Sequence, residues 1–194
     1  MIITTYSGRK IDLFHIRKND FSIEDIAIGL SHTVRFSGQI GEPYNVAQHS
    51  ILVSDIVMDV SSDPMLAWCA LMHDGVESIT FDCPTPIKEH LWVSTPSGLC
   101  KFREWEHHVL SYMLRQFNIT ADPECELIKR ADYTALRQES ARFRGSSISK
   151  ENIQFLRTSV RLGDVQTADQ SKEKFLKTFN ELSKKCFKLV GSAV

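Results

Sequence analysis

His49, the adjacent pair His73-Asp74 and Asp132 are the residues of this chain whose types could together hold one divalent metal ion. Neutral imidazole and ionised carboxylate are both available at neutral pH, and such a mixed set suits Mn, Co, Fe or Zn. The pair lies in Leu71-Met72-His73-Asp74-Gly75-Val76-Glu77. An acid inside an apolar run is costly to bury without a partner. An ion held by these four residues keeps coordination positions for water and a substrate oxygen. It lowers the pKa of the water and polarises a phosphoryl group, so the expected chemistry is metal-dependent hydrolysis. No cysteine is spaced with these histidines in the manner of a zinc finger.

Each residue also has an ordinary reading. A histidine on an apolar helix face is more often a hydrogen-bonded core residue than a ligand. Asp132 in Ile128-Lys129-Arg130-Ala131-Asp132 can equally pair with an arginine. Glu77, one turn beyond His73, suits acid/base work beside a metal, and suits a solvated charge at a helix end just as well. Asp82 reads as a turn residue, as a partner behind the ligands, or as a ligand to an additional ion. What strengthens the metal reading is coincidence: three separate helices each carry a ligand type on an apolar face, and helical proteins hold metals between facing helices.

The elements that must position these residues follow from periodicity. Ser22 precedes Ile23-Glu24-Asp25-Ile26-Ala27, a capping-box pattern that starts a helix on Ile23, Ile26, Ala27 and Leu30. A second helix is expected from about Val46 to Val60, with His49 one turn before Val53 on the apolar face. A third is expected from about Met65 to Ser78, with His73, Asp74 and Glu77 able to face one site. Proline-marked loops cover Asp82–Lys88 and Ser94–Gly98. Helical patterns return at Phe102 to Phe117, at about Glu124 to Phe143, and in the C-terminal third. Residues 1–21 read as irregular, with a short extended piece around Ile11 to Phe14. No convincing alternating strand is present, so the expected class is all-α. A single domain spans 1–194, with a C-terminal helical extension from about 150.

The chain has 194 residues, enough for a sizeable core, and its 42% hydrophobic and 24% charged composition is that of ordinary globular proteins. The net charge of -1 supplies no global field toward nucleic acid polymers. No apolar run is long enough for a membrane span. The start Met1-Ile2-Ile3-Thr4-Thr5-Tyr6 lacks the basic and apolar stretches of a signal peptide. Five cysteines without a C-x-x-C pair read as free thiols in a reducing cytoplasm. Ser171 to Leu189 carries six lysines against two glutamates, with Phe175, Phe179, Leu182 and Cys186 at helical spacing. That pattern fits a membrane-surface helix, but better fits an apolar stripe packed on the domain or on another subunit, with solvated lysines.

The ordered motifs resemble the HD-domain phosphohydrolase superfamily, whose metal pattern is H…HD…D. Tyr44-Asn45-Val46-Ala47-Gln48-His49-Ser50, His73-Asp74-Gly75-Val76-Glu77, Asp82-Cys83-Pro84-Thr85-Pro86-Ile87-Lys88 and Lys129-Arg130-Ala131-Asp132 are similar to motifs of its 5′-deoxynucleotidase-like branch. Gly8–Leu13 and Ile23–Gln39 are similar to small phage and bacterial members, among them the phage dATP triphosphohydrolases called DatZ. The resemblance covers about residues 8–143. It implies an HD-type helical bundle in which His49, His73, Asp74 and Asp132 ligate Zn, Co or Mn, with additional Mg or Co accompanying the phosphates. It implies Glu77 and Asp74 as catalytic residues, Arg35 and Lys88 as phosphate holders, and Phe36, Gly38 and Pro86 near the base and sugar. Without it, Arg35 and Lys88 read as solvated charges and Phe36 as core. Phe81 stands where the family usually has glycine.

The resemblance further implies a homo-oligomer, in the cytoplasm (of the host, for a phage-encoded chain), that hydrolyses a purine deoxynucleotide. dATP is the first expectation and deoxyadenosine its product. General 5′-deoxynucleotidase activity on dNMPs and a non-enzymatic nucleotide-binding HD protein are the alternatives. A cyclic-nucleotide phosphodiesterase ranks last, for want of a second metal motif.

Overall fold

The computed structural model describes residues 1–145 and 154–191. Among these residues seven α-helices carry the fold: α1 (Ile23–His32), α2 (Val46–Ser61), α3 (Pro64–Leu71), the single turn α4 (Thr85–Lys88), α5 (Phe102–Gln116), α6 (Glu126–Arg144) and α7 (Ala168–Gly191). Local chemistry sets their starts. Asn45 accepts from Gln48 N at 3.0 Å to open α2, and Asp63 accepts from Met65 N and Leu66 N ahead of Pro64 to open α3. Ser22 caps α1 through Asp25 N. The Asp25 carboxylate does not complete a capping box. It accepts instead from Thr5 Oγ1, Ser7 N and Ser7 Oγ at 2.7–2.8 Å, tying the N-terminal segment to α1.

The fold is mostly helical, but not purely so. β1 (Ile2–Thr4) pairs antiparallel with β2 (Lys10–Asp12), and β3 (Trp92–Thr95) with β4 (Gly98–Lys101). Strands of three and four residues are too short to show the alternation by which strands are recognised. The second hairpin turns at Gly98, whose φ of 123° a side chain would oppose.

α2 is the central element, buried from Val46 to Ser54 and again at Ile56 and Val57. It packs on α1, α3, α6 and α7. One apolar cluster joins Ile11, Leu30, Val53, Trp68, Val109, Ile128 and Phe175, so a single core serves the described residues. Phe175, Phe179, Leu182 and Cys186 are buried, and α7 packs on α1, α2 and α3. Its apolar stripe therefore belongs to the core. Ahead of α7, residues 154–167 form neither helix nor strand and are tied to the helices by hydrogen bonds. Gln138 accepts from Leu162 N at 2.8 Å, and Asp59 accepts from Thr158 and Ser159. No helix among the described residues is long and apolar enough to cross a membrane.

The third helix stops seven residues before its expected end at Ser78. His73 Nδ1 approaches Ala70 O at 2.7 Å, the carbonyl that Asp74 N would otherwise use to continue the helix. A tighter ladder follows, with Gly75 N bonded to Met72 O and Glu77 N to Asp74 O, and residues Gly75–Ser78 form a 3-10 turn. Two close approaches hold this turn in place. A Cβ on Gly75 would stand 2.7 Å from Met113 Sδ, and one on Gly29 would stand 2.3 Å from Ser78 O.

Candidate metal centre

His49 comes from the middle of the core on α2, and its side chain is fully buried. His73 and Asp74 come from the broken end of α3, and Asp132 from the second turn of α6. His49, His73 and Asp74 bring one ligand atom each to within 4.8 Å of one another. Asp132 joins them through His49, its Oδ1 lying 3.1 Å from His49 Nε2. Asp74 Oδ2 is 3.5 Å from His49 Nε2 and 3.3 Å from His73 Nε2.

The partners of the other ring nitrogens decide which atoms face this point. A carbonyl can only accept, so His73 Nδ1 carries the hydrogen that it donates to Ala70 O. His49 Nδ1 lies 2.6 Å from Glu139 Oε1, and Glu139 is held down to about 2. Burial opposes that ionisation, but His49 and Arg35 outweigh it. The ionised carboxylate therefore accepts, and Nδ1 donates. Both Nε2 atoms are buried and without a hydrogen-bond partner. The 3.1 Å approach to Asp132 lacks hydrogen-bond alignment and acts as an electrostatic contact. Two orphaned imidazole nitrogens beside two carboxylates are a donor set that fits a divalent cation.

Charge tells the same story. Burial and Arg35 work against an imidazolium at His49, yet Glu139 and Asp132 raise its pKa to about 10. Asp74 and Asp132 are lowered despite burial, chiefly by His73 and His49 for Asp74 and by His49 for Asp132. The cluster thus holds a positive charge on His49 where a dication would sit.

A cavity of about 500 Å³ opens over this centre. Arg35, Phe36, Glu77, Asp82, Pro86 and Lys88 line it with His73, Asp74 and Asp132, while His49 lies buried outside the lining. Glu77 is 4% exposed, its Oε2 has no partner, and its Oε1 is 3.6 Å from Lys88 Nζ. Burial, then Asp74 and Asp82, push its pKa well above the usual carboxylate range. It is not a solvated helix-end charge. Lys88 Nζ donates to both oxygens of Glu106 at 2.9 and 3.0 Å. Arg35 is buried, with Nη2 3.3 Å from Glu139 Oε2 and Nη1 3.5 Å from Asp82 Oδ1. Asp82 also accepts from Phe36 N at 3.1 Å, so it shapes the turn behind the ligands. Phe36 and Ser37 adopt φ of 57° and 53°, a left-handed pair in a 3-10 turn. The Phe36 ring lies under the Arg144 guanidinium at 4.5 Å. Gly38 is exposed and stands outside the cavity lining, continuing that turn with φ 69°.

Three contributors were absent from the sequence reading: Glu139, Glu106 and Arg144. Glu139 follows Asp132 by seven residues, two helical turns on the same face of α6, and that spacing was the signal available. Glu106 and Arg144 carry no comparable sign, since their roles come from packing between distant elements.

No protein family model matches the chain. A protein of Rhodobacter capsulatus named "Uncharacterized protein RCAP_rcc00048" is 31% identical over 148 residues, which is 73% of this chain and 72% of that protein. The chain belongs to its family. "Uncharacterized protein YfdR" of Escherichia coli (strain K12) is 40% identical over 89 residues, 46% of this chain and 47% of that protein. The chain therefore spans about half the length of YfdR. Neither relative's name speaks to an activity.

Proposed function

We propose that the protein is a metal-dependent phosphohydrolase of the HD-domain type that acts on a purine deoxynucleotide, dATP first, and leaves deoxyadenosine. The observation that carries the reading is the convergence of two orphaned imidazole Nε2 atoms and Asp74 beside a cavity lined by Arg35, Lys88 and the buried acid Glu77. His49, His73, Asp74 and Asp132 would hold Zn, Co or Mn. The chemistry a bound dication supplies is activation of water and polarisation of a phosphoryl oxygen. Arg35 and Lys88 bind and orient phosphate oxygens, Arg35 with the fork geometry that suits them. Burial, with Asp74 and Asp82, raises the pKa of Glu77 and favours its acid form, in which it is placed to give a proton to the leaving oxygen as the P–O bond breaks. Phe36 and Pro86 offer an apolar face for base and sugar.

A monophosphate substrate is the second reading, and one observation favours it. Lys88 is already paired with Glu106 and Arg35 with Glu139 and Asp82, which leaves less free positive charge for a triphosphate. The test is turnover of dNTPs, dNDPs, dNMPs and rNTPs with Mn, Co, Zn and Mg, with products identified. dATP giving deoxyadenosine is the expected result. Equal rates across bases remove the adenine preference, activity on monophosphates alone selects the second reading, and nucleotide binding without turnover under any metal selects a non-enzymatic role.

A further inference from the structure

We propose that Glu139 is a positioning residue that fixes, from one buried carboxylate, both the metal-facing nitrogen of His49 and the phosphate-facing guanidinium of Arg35. The proposal rests on the metal-phosphohydrolase reading of the site. Glu139 itself lies behind the candidate ligands, on the face of α6 that carries Asp132. Its side chain is fully buried. Oε1 meets His49 Nδ1 at 2.6 Å and accepts from Tyr44 Oη at 2.9 Å. Oε2 accepts from Arg35 Nη2 at 3.3 Å.

The division of labour between the two oxygens separates positioning from simple charge pairing. An ion pair with Arg35 needs only proximity. Here the tyrosine hydroxyl restrains rotation of the carboxylate, and each oxygen serves one functional side chain. Oε1 obliges His49 to carry its hydrogen on Nδ1, so Nε2 is the atom left for a metal. Oε2 draws Arg35 toward the cavity wall it shares with Asp74, whose Oδ2 is 3.9 Å from Nη1.

Glutamine at this position has the right size and the wrong chemistry. Its amide has one accepting atom and one donating atom. With the oxygen toward His49, the amide nitrogen opposes the guanidinium of Arg35, donor against donor. With the amide turned over, its nitrogen faces His49 Nδ1 and moves the ring hydrogen onto Nε2, the atom that must stay bare. E139Q can satisfy one of the two functions, not both. Y44F keeps the carboxylate and removes the restraint on its rotation.

The test uses the full chain as wild type, E139Q and Y44F. Thermal melts first establish that each variant folds. Zn²⁺ and Mn²⁺ affinities are measured on metal-free protein by competition with a chromophoric chelator, and the ring nitrogens of His49 are assigned by ¹⁵N NMR. Expected for E139Q is a metal affinity about 10- to 100-fold weaker or a raised KM for the nucleotide at saturating metal, according to which way the amide lies. The Nδ1–H signal of His49 should move in either case. Y44F should shift the same readouts in the same direction and less far. A folded E139Q with wild-type metal affinity, wild-type KM and an unmoved His49 signal overturns the proposal and leaves the phosphohydrolase reading intact. A wild-type protein that binds neither metal overturns both, whereas one that binds metal and turns over no nucleotide fails only the enzymatic reading, and an affinity loss in E139Q would still support Glu139.

Discussion

Glu139, behind the candidate ligands, and Phe36, in the cavity lining, both meet Arg35 and are held in opposite ways. Glu139 sits in a nineteen-residue helix, wholly buried, with hydrogen-bond contacts to three side chains. Phe36 sits in a four-residue turn with left-handed backbone angles, half-buried, its ring met by the guanidinium groups of Arg144 at 4.5 Å and Arg35 at 5.6 Å. The inner wall built from α2, α6 and the turn that follows α3 is determined from several directions at once, which suits groups that must meet an ion to within a few tenths of an ångström. The outer wall, built from short elements after α1 and around α4, is held by fewer bonds. Inner-wall changes should therefore remove metal and chemistry, and outer-wall changes should mainly alter which substrate is preferred.

The sharpest contrast lies within the inner wall. Asp74→Asn removes a ligand charge and is expected to abolish metal retention and measurable turnover together. Glu77→Gln leaves the ligands in place and removes the buried proton donor. Its kcat should fall by about 10²–10⁴-fold with metal content unchanged, as read by elemental analysis of the purified variants. Loss of metal in Glu77→Gln would place that residue among the ligands and cancel its role as acid.

Acidity sharpens the same division. The metal-free site holds a proton on His49, whose pKa is raised to about 10, and a metal must displace it. Metal affinity should therefore rise with pH, by about tenfold per unit for one displaced proton, and uptake near neutral pH should release that proton. Titrations in buffers of different ionisation enthalpy read this directly, and a pH-independent affinity would contradict it. Stability of the metal-free protein follows with opposite edges. The His49 contribution is complete below the ordinary value of 6.5 and fades as pH rises through about 10. The Glu139 contribution is present above the ordinary 4.5 and fades as pH falls toward about 2.

Sequence patterning made α2, α5 and α6 legible almost to the residue, because α5 and α6 each bury one stripe and α2 is apolar through the core with a capping residue, Asn45, at its start. It misjudged α3. Nothing in Cys69-Ala70-Leu71-Met72 announces a break, since the break comes from a histidine side chain competing for a backbone carbonyl. That competition turns two consecutive residues, His73 and Asp74, toward one point, which an unbroken helix would have splayed. The ligand types were legible and their tautomers were not: these depend on Glu139 and on Ala70 O, partners ninety residues and three residues away in the chain. Lys88 and Arg35 line the cavity, and the carboxylates that pair with them lie on α5, on α6 and in the loop before α4, so no spacing rule connects them.

Lys88 carries the next largest effect and the first on the outer wall. Lys88→Ala should raise KM more than it lowers kcat, since Lys88 meets phosphate as a point charge. Glu106→Gln should release Lys88 from its bidentate partner and favour substrates with more phosphates. The ratio of triphosphate to monophosphate kcat/KM in Glu106→Gln is the measurement. An unchanged ratio would mean that Glu106 does not limit the charge available at the cavity mouth.

The smallest expected effect belongs to Phe36→Leu, which keeps apolar bulk and removes the ring. If the aromatic face meets the base, KM for a purine substrate should rise by about 2- to 10-fold, kcat should hold, and the preference for purine over pyrimidine should shrink. Arg144 covers that face at 4.5 Å, so the base must either displace the guanidinium or stack beyond it. Arg144→Ala separates the two. A lower KM means the guanidinium was competing for the ring, and a higher KM means it was extending the stack. If neither variant moves KM, Phe36 is a wall of the cavity and the base is read elsewhere.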